Sequence, residues 1–346
     1  MSTSSVPGST ASLDAGSVQR RPARRSAIDP VVVALVPVIV IACVIGSFVS
    51  SAFLTRTNLV DNVITTSAVL GIVVIAESII LIGGYFDLSL QSTVGFAPMI
   101  MAVLVSPVSG GGHGWPVALG ILVMLAAVIV IGLLNGVMIA LMKLPAFIVT
   151  LAMLILLQGL TIGLSGGQTY SDLPRLMTFL GDTRFAGLPI QAWVLILAFA
   201  ISFVFMKYTP TGRSIYAMGG NAEAARAAGI RTTKLTLGIV LVGSLLAALA
   251  GFMLTGRIAS VTANQGDNLI FTVFAAAVIG GINLNGGRGN LLGAGLGVLL
   301  LGVIQNILTL SNVSSFWVNA ANGAIILGAL LIGWASSNLN LGRRSA

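Results

Sequence analysis

Several side chains that could hydrogen-bond a solute lie inside or beside long apolar stretches of this sequence. They are the amides Asn135, Gln158, Asn283, Asn306 and Asn319, of which Asn135, Asn283 and Asn306 are the candidate pathway residues. An amide carries donors and an acceptor, so it can bridge neighbouring helices or bind a hydroxylated solute without selecting for charge. Both roles stay open for each residue. Together the amides predict a pathway that suits an uncharged polar solute better than an ion.

Asp87 and Ser89 follow a double glycine, Gly83-Gly84, in otherwise apolar surroundings. A helix that breaks inside a membrane needs glycine to turn and polar side chains to satisfy the freed backbone groups. The two residues either cap the next helix or contact a substrate or gate, so both join the candidate pathway residues.

Glu77 is an ionisable residue within an apolar run. A carboxylate is costly in a membrane span, which makes such a residue a functional candidate by default. Glu77 either binds a coupling proton or cation, or pairs with a hydroxyl, or lies close to the membrane surface. One carboxylate gives little support for a proton relay.

The sequence lacks the residue patterns of enzymes. Its one histidine, His113, and one cysteine, Cys43, are too few for a multi-histidine or thiolate metal site. No paired carboxylates, Ser–His pair or zinc motif is evident, so we expect no catalytic residue, metal or cofactor. The glycine-rich run 280–289 does not match the phosphate loop G-x-x-x-x-G-K-[ST]. We expect a transport subunit without its own ATPase motif.

Residues 219–230 predict a short helix between two membrane spans. Asn221 is a favourable N-cap, Glu223 suits the positive end of a helix, and Gly229 can adopt the left-handed turn that ends one. About two turns fit between these caps, too few to be stable alone in water. The segment must therefore dock. Its basic surroundings suggest a soluble partner on the cytoplasmic side; these cations are Arg213, Arg226, Arg231 and Lys234.

Membrane-spanning helices must position these residues. The chain has 346 residues, of which 56% are hydrophobic and only 8% are charged. Soluble domains carry about 25% charged residues, so most of this surface must face lipid. The 42 glycines suit close packing of helices in a bilayer. We predict an all-α polytopic membrane protein with about ten transmembrane helices.

Apolar runs of the length needed to cross a bilayer recur along the chain. The predicted spans are 31–53, 59–82, 88–106, 116–141, 146–165, 190–207, 235–256, 268–283, 290–310 and 317–335. With both termini in the cytoplasm, 13 of the 17 Lys and Arg residues lie inside, as the positive-inside rule expects. This distribution explains the net charge of +8 without a nucleic acid partner.

Three regions divide the chain. Residues 1–29 are rich in Ser, Ala, Gly and Pro and predict a disordered basic cytoplasmic tail. Residues 30–336 form the transmembrane domain, and 337–346 form a short basic cytoplasmic tail. The outer loop 166–189 is expected to be an ordered surface loop or a short interfacial helix.

Two glycine-containing segments hint at an internal repeat. Residues 81–89 are similar to residues 278–286, and both interrupt apolar runs. Paired broken segments in a transporter point to its binding site. The order of the spans leaves open whether the repeat is parallel or inverted.

Four segments, in order and spacing, resemble the inner-membrane permeases of ribose/xylose/galactose-type ABC importers. They are residues 53–59, 83–89, 219–230 and 278–289. The resemblance covers about residues 50–335 and implies a permease that moves a monosaccharide or similar polyol inward by alternating access. It also implies a bacterial inner or plasma membrane. The implied partners are a cytoplasmic ATP-binding cassette ATPase, an extracytoplasmic solute-binding protein and a second permease subunit.

The resemblance further implies that the short helix is a coupling helix seated in a groove of the ATPase. A small face of alanines would permit close approach, and Glu223 and Arg226 would make polar contacts at its rim. The coupling residues so implied are Asn221, Glu223, Ala224, Ala225, Arg226 and Gly229, and the small face also includes Ala228.

The chain departs from the family pattern at Tyr85-Phe86. In the family an aliphatic residue usually comes directly before Asp-Leu-Ser, and the added aromatic bulk could reshape the pathway. The identity of the solute therefore stays open. A branched-chain amino-acid or nucleoside ABC permease is the near alternative, and an ion-coupled secondary transporter that uses Glu77 or Asp87 is the distant one.

Overall fold

The computed structural model describes residues 30–314, 316–318, 320–321, 323–324 and 327–328. The predicted tails, 1–29 and 337–346, lie outside the described residues, as does most of the predicted tenth span, 317–335. The helices are α1 (Pro30–Val49), α2 (Thr65–Ile82), α3 (Ser89–Val105), α4 (Val117–Ala140), α5 (Ala146–Ser165), α6 (Arg175–Asp182), α7 (Ile190–Tyr208), α8 (Pro210–Gly220), α9 (Ala222–Ala227), α10 (Thr232–Ile258), α11 (Leu269–Ile279) and α12 (Leu291–Leu310). A π-helical segment, Thr57–Ile64, leads into α2, and a 3-10 turn spans Val108–Gly110. Strands β1 (Arg184–Phe185) and β2 (Leu188–Pro189) form an antiparallel hairpin.

Within the described part of the chain, seven helices are long and apolar enough to cross a membrane. They are α1, α2 with its π-helical start, α4, α5, α7, α10 and α12, while α3 and α11 are apolar but shorter. Each of the first nine predicted spans coincides with one of these helices to within four residues at either end. The prediction of a polytopic helical membrane protein is confirmed.

The centre of the bundle is built from α2, α3 and α10. α2 is almost wholly buried, because α7, α10, α11 and α12 pack around it. In contrast, α1, α4, α5 and α7 expose large apolar side chains. Examples are Phe48, Leu122, Ile155 and Leu197. Such exposure is costly in water and favourable in lipid, so these faces form the membrane-facing surface.

The double glycine after α2 turns the chain back into the protein. Gly83 ends α2, and Gly84 has a φ of +88°, which glycine accepts because it has no Cβ. α3 begins only at Ser89, and the Asp87 N–H donates to Glu77 Oε1 at 3.3 Å. A non-helical turn of six residues, 83–88, therefore joins α2 to the unbroken helix α3.

The double glycine after α11 repeats this turn. Gly281 has a φ of +85°, and the two turns share the same three backbone hydrogen bonds, which span four, three and five residues. Both turns lie at one end of the bundle, since a Cβ on Gly286 would lie 2.7 Å from the Gly84 Cα. α2 and α11 therefore run in the same direction, which settles the open question in favour of a parallel arrangement.

α11 completes a span that begins as a non-helical loop. The helix has 11 residues, about 17 Å, which is short of the roughly 30 Å of a bilayer core. The preceding loop 259–268 folds back along α10, where Gln265 Nε2 donates to the Gly251 carbonyl and to Thr255 Oγ1, each at 3.1 Å. Non-helical backbone at such depth needs protein partners, and Gln265 supplies them.

The bundle has two distinct ends. The α6 end gathers α6, the β-hairpin and the loops 106–116 and 259–262, joined by the backbone pairing of Tyr170 with Val261 and by the Arg184–Asp61 ion pair. Of the two alternatives for residues 166–189, an ordered surface loop or a short interfacial helix, the structure contains a short helix, α6. The α9 end gathers α8, α9, the α4–α5 turn and the turn 280–290.

Candidate functional site

The predicted caps of α9 are confirmed. Asn221 Oδ1 accepts the backbone N–H groups of Glu223 at 3.0 Å and Ala224 at 2.9 Å. At the other end Gly229 has a φ of +83°, and the Ile230 N–H donates to the Ala225 carbonyl at 3.0 Å. These local bonds let a six-residue helix form, and contacts with α8 and α10 hold it against the bundle.

One residue of the predicted alanine face points the wrong way for a partner. Ala225 is only 5% exposed, because it packs against the body of the chain. Glu223, Ala224, Arg226 and Ala228 are exposed, and so is Ala227, which the sequence analysis did not single out. The correction follows from helical geometry, since a helix docked on its own bundle must bury one side.

α9 is joined directly to the ends of other helices. A Cβ on Gly219, in the last turn of α8, would lie 1.9 Å from the Ile82 carbonyl oxygen at the end of α2. The same carbonyl accepts the Gly287 N–H at 2.9 Å. We call the contact of Gly84, Gly219, Gly286 and Gly287 the glycine junction. It ties α8 and α9 to α2 and to the α11–α12 turn without intervening side chains.

Asn283 belongs to the α11–α12 turn. Its Oδ1 accepts the Asn285 N–H at 2.8 Å, and its own N–H donates to the Arg288 carbonyl at 3.1 Å. The structure does not bring Asn283 together with the other candidate pathway residues. Nearby, the Tyr216 hydroxyl donates to the Gly289 carbonyl at 2.9 Å, and burial raises the pKa of Tyr216, which keeps this donor protonated.

Asp87, Ser89 and Asn135 form one buried cluster. Asp87 Oδ1 accepts the N–H and the hydroxyl of Ser89, and Asn135 Nδ2 donates to Ser89 Oγ at 2.9 Å. All three side chains are 0% exposed. Asp87 thus caps α3, and Asn135 ties that cap to α4.

Glu77 extends this cluster. Its Oε1 accepts the Asp87 N–H, and the two carboxyl groups are close enough to interact electrostatically. The expectation that the chain has no paired carboxylates is therefore wrong. The turn 83–88 between α2 and α3 brings Glu77 and Asp87 together, although they are ten residues apart. Glu77 Oε2, Asp87 Oδ2 and Asn135 Oδ1 have no hydrogen-bond partner among the described residues.

A cavity of about 500 Å³ lies at the α6 end, between the π-helical segment, the start of α11 and the end of α12. Its lining is rich in amides and hydroxyls. These are Asn58, Asn62, Asn268, Gln305 and Asn306, with Thr66, Thr272 and Thr309. The composition is unlike the apolar walls of most ligand pockets.

Asn306 is the one candidate pathway residue that lines this cavity. It forms a reciprocal amide pair with Asn58, with both Nδ2–Oδ1 distances at 2.8 Å. Asn58 Nδ2 also donates to the Phe53 carbonyl at 2.9 Å. The pair fixes the orientation of both amides at the wall of the cavity.

Two charged residues of opposite sign line the same cavity. Arg257 lies at the end of α10, and Asp267 lies in the loop 259–268 that precedes α11. Asp267 Oδ1 accepts Gln158 Nε2 at 3.0 Å, which anchors the loop to α5. The cavity therefore has one positive and one negative side chain among neutral amide and hydroxyl donors and acceptors.

Sequence reasoning missed Asn58, Asn62, Asn268 and Gln305 as site residues. One signal was present: Asn58 and Asn62 are four apart, so they share a helix face, and Asn62 Nδ2 donates to Asn58 Oδ1 at 3.1 Å. Asn268 gave no comparable signal, because its position depends on a loop that only the fold places beside α12.

The chain matches one family along most of its length. The model of the family described as "Branched-chain amino acid transport system / permease component" matches residues 59–335. No solved structure matches the chain.

Several curated proteins are similar to this chain. The ribose import permease protein of Haemophilus influenzae is 31% identical over 297 residues, covering 85% of this chain and 90% of the relative. That of Bacillus subtilis is 33% identical, covering 84% and 89%. The autoinducer 2 import system permease protein LsrC of Salmonella choleraesuis is 32% identical, covering 78% and 76%.

Proposed function

The chain belongs to the family of permease components of the branched-chain amino acid transport system, and from this membership we propose that it is the membrane-spanning subunit of an ATP-driven sugar importer. Its solute is a monosaccharide or a similar polyol, a class to which the ribose named for the relatives belongs. The permease works with a separate ATP-binding cassette ATPase, an extracytoplasmic solute-binding protein and a second permease subunit.

The cavity at the α6 end is the observation that carries the sugar assignment. Its amides and hydroxyls can donate to and accept from the hydroxyl groups of a sugar, and its volume of about 500 Å³ exceeds that of one monosaccharide. An amino acid would need separate charged partners for its ammonium and carboxylate groups. The cavity lining holds one of each, Arg257 and Asp267, and Asp267 Oδ1 accepts Gln158 Nε2. The amides and hydroxyls outnumber these charges and favour a sugar, and the uptake of ribose and leucine tests that choice directly.

The α9 end faces the cytoplasm in this proposal. The exposed cations at that end, among them Lys143, Arg213, Arg231 and Arg288, support this orientation. The exposed residues Glu223, Ala224 and Ala228 of α9 then meet the ATPase, while Arg226 lines a cavity beside the α4–α5 turn. The cavity opens on the opposite side, where the solute-binding protein delivers its solute.

The glycine junction carries the motion of the ATPase into the bundle. A displacement of α9 moves α8, and the direct backbone contacts of Gly219 pass that movement to the end of α2 and to the α11–α12 turn. α2 and α12 both contribute to the cavity wall through the segments that hold Asn58 and Asn306. ATP binding needs only to favour one arrangement of these helices over the other to alternate access.

Uptake by proteoliposomes tests the proposal. The permease would be reconstituted with its ATPase and solute-binding protein, and uptake of D-ribose and L-leucine would be compared. We expect ATP-dependent ribose uptake, and about a tenfold loss with Asn306→Leu, because that change leaves Asn58 without its partner and removes a sugar contact. Gln168→Leu, which changes an exposed amide at the α6 end that does not line the cavity, is the control and should not alter uptake.

Uptake of leucine in preference to ribose would favour the amino-acid permease and reject the sugar assignment. Equal losses with Asn306→Leu and Gln168→Leu would show that the cavity at the α6 end is not on the solute pathway.

A further inference from the structure

A second large cavity, of about 600 Å³, lies at the α9 end between the α4–α5 turn and the start of α10. Two cations line it, Lys143 from the α4–α5 turn and Arg226 from α9, and its lining contains no carboxylate. Among the described residues the one ion pair is Arg184 with Asp61. Neither Lys143 nor Arg226 is therefore paired with an acidic side chain of the described chain. The cavity is therefore electropositive.

Neutral donors accompany the two cations. Thr233 and Tyr85 line the cavity, and the Thr236 hydroxyl lies 3.2 Å from the Tyr85 hydroxyl, which fixes the phenol at its wall. α10 also begins here, at Thr232, with no side chain capping its first turn. The Thr232 N–H donates to the Ile230 carbonyl at 2.9 Å, and the positive end of the helix dipole adds to the preference for a negative group.

The turn that carries Lys143 is strained. Lys143 has a φ of +57°, a left-handed conformation that costs energy for a residue with a side chain. This conformation places a cation between the end of α4 and the start of α5, at the rim of the cavity.

The other side of the cavity is apolar and continues onto the membrane-facing surface. Phe86, Leu144 and Phe147 line it, and the adjoining Leu141, Met142 and Ile148 are about 60% exposed. A soluble acidic partner would make no favourable contact with these apolar side chains. A molecule with a phosphate at one end and an acyl chain at the other would satisfy both sides.

We propose that this cavity binds an anionic phospholipid, with Lys143 and Arg226 paired with the head-group phosphate and the acyl chain lying along Leu144 and Phe147. The site bridges the α4–α5 turn and α9, so a bound lipid would hold α9 on the bundle. The binding step does not depend on which solute the permease carries.

Native mass spectrometry of the detergent-purified full chain tests the proposal. Retention of phosphatidylglycerol, phosphatidylcholine and inorganic phosphate would be measured separately. We expect retention of phosphatidylglycerol above both others, and roughly a 10- to 30-fold lower affinity for it in the Lys143→Gln/Arg226→Gln double variant, since a surface cation contributes about 1 kcal/mol to binding an anionic lipid. Lys143→Arg keeps the charge and should keep the affinity.

The double variant Arg231→Gln/Arg288→Gln is the matched control. It removes two exposed cations from the same end that do not line the cavity, and it should leave lipid retention unchanged. Equal losses in both double variants, equal retention of phosphatidylcholine, or equal binding of phosphate alone would each overturn the proposal. So would a Lys143→Gln/Arg226→Gln protein that keeps its lipid but no longer binds the ATPase.

Discussion

Single side chains in this protein gain their roles from partners that are far away in sequence. Asn58 and Asn306 are 248 residues apart, yet each satisfies the amide of the other at the wall of the α6-end cavity. A reciprocal amide pair leaves the remaining hydrogens and lone pairs pointing in fixed directions. This is how a membrane protein can present fixed polar groups to a neutral solute without a buried charge.

Glu77 separates the proposed importer from the secondary-transport alternative. Its Oε1 accepts the Asp87 N–H, a role that needs an oxygen and no charge. We predict that Glu77→Gln retains at least half of the ATP-dependent uptake, because glutamine keeps that acceptor. Uptake by proteoliposomes without a pH gradient measures this.

Glu77→Leu is the informative comparison. It leaves the Asp87 N–H without an acceptor, so thermal unfolding should show a loss of about 1–3 kcal/mol of stability. Loss of uptake in Glu77→Gln with unchanged thermal stability would instead assign Glu77 to a coupling ion.

Among the elements, α8 meets the end of α2 through direct backbone contact as well as through buried side chains such as Ile215 and Met218. Gly219 lies so close to the end of α2 that a methyl group cannot fit, whereas a Cβ on its neighbour Gly220 would meet nothing within 4 Å. The structure therefore tolerates a side chain at Gly220 and not at Gly219, although the sequence does not distinguish the two glycines.

We predict that Gly219→Ala sharply lowers the stimulation of ATPase activity by solute-loaded binding protein, while Gly220→Ala has little effect. The Gly219 methyl group would push α8 away from Ile82 and weaken the glycine junction. The measurement is the stimulation of ATPase activity by solute-loaded binding protein, with membrane insertion checked by solubilised yield. Normal stimulation in Gly219→Ala would mean that motion does not pass through this contact.

The whole molecule is a helical bundle with two different ends. The α6 end contains a cavity lined by amides, and the α9 end carries exposed Lys and Arg side chains. The charge distribution predicts which end lies in the cytoplasm, since Lys and Arg concentrate on cytoplasmic loops. The two cavities described, about 500 Å³ at the α6 end and about 600 Å³ at the α9 end, then lie toward opposite sides of the membrane.

Cysteine labelling tests this orientation. Cys43 is the one cysteine, so Cys43→Ser gives a background for single cysteines at His113, in the α3–α4 loop, and at Ala228, after α9. We expect a membrane-impermeant maleimide to label His113→Cys in intact cells and Ala228→Cys only after the cells are opened. The reverse pattern would invert the proposed direction of transport.

The sequence by itself determined the membrane class, the positions of the spans and the caps of α9. Each of these depends on local composition or on residues a few positions apart, such as Asn221 with the backbone of 223 and 224. The tertiary structure alone decided that Ala225 is buried, that Glu77 meets Asp87, and that Asn306 lines a cavity while Asn283 lies in a turn at the other end. The physical reason is that helix formation depends on residues close together in the sequence. A cavity, in contrast, is made by side chains that only the packing of distant helices brings together.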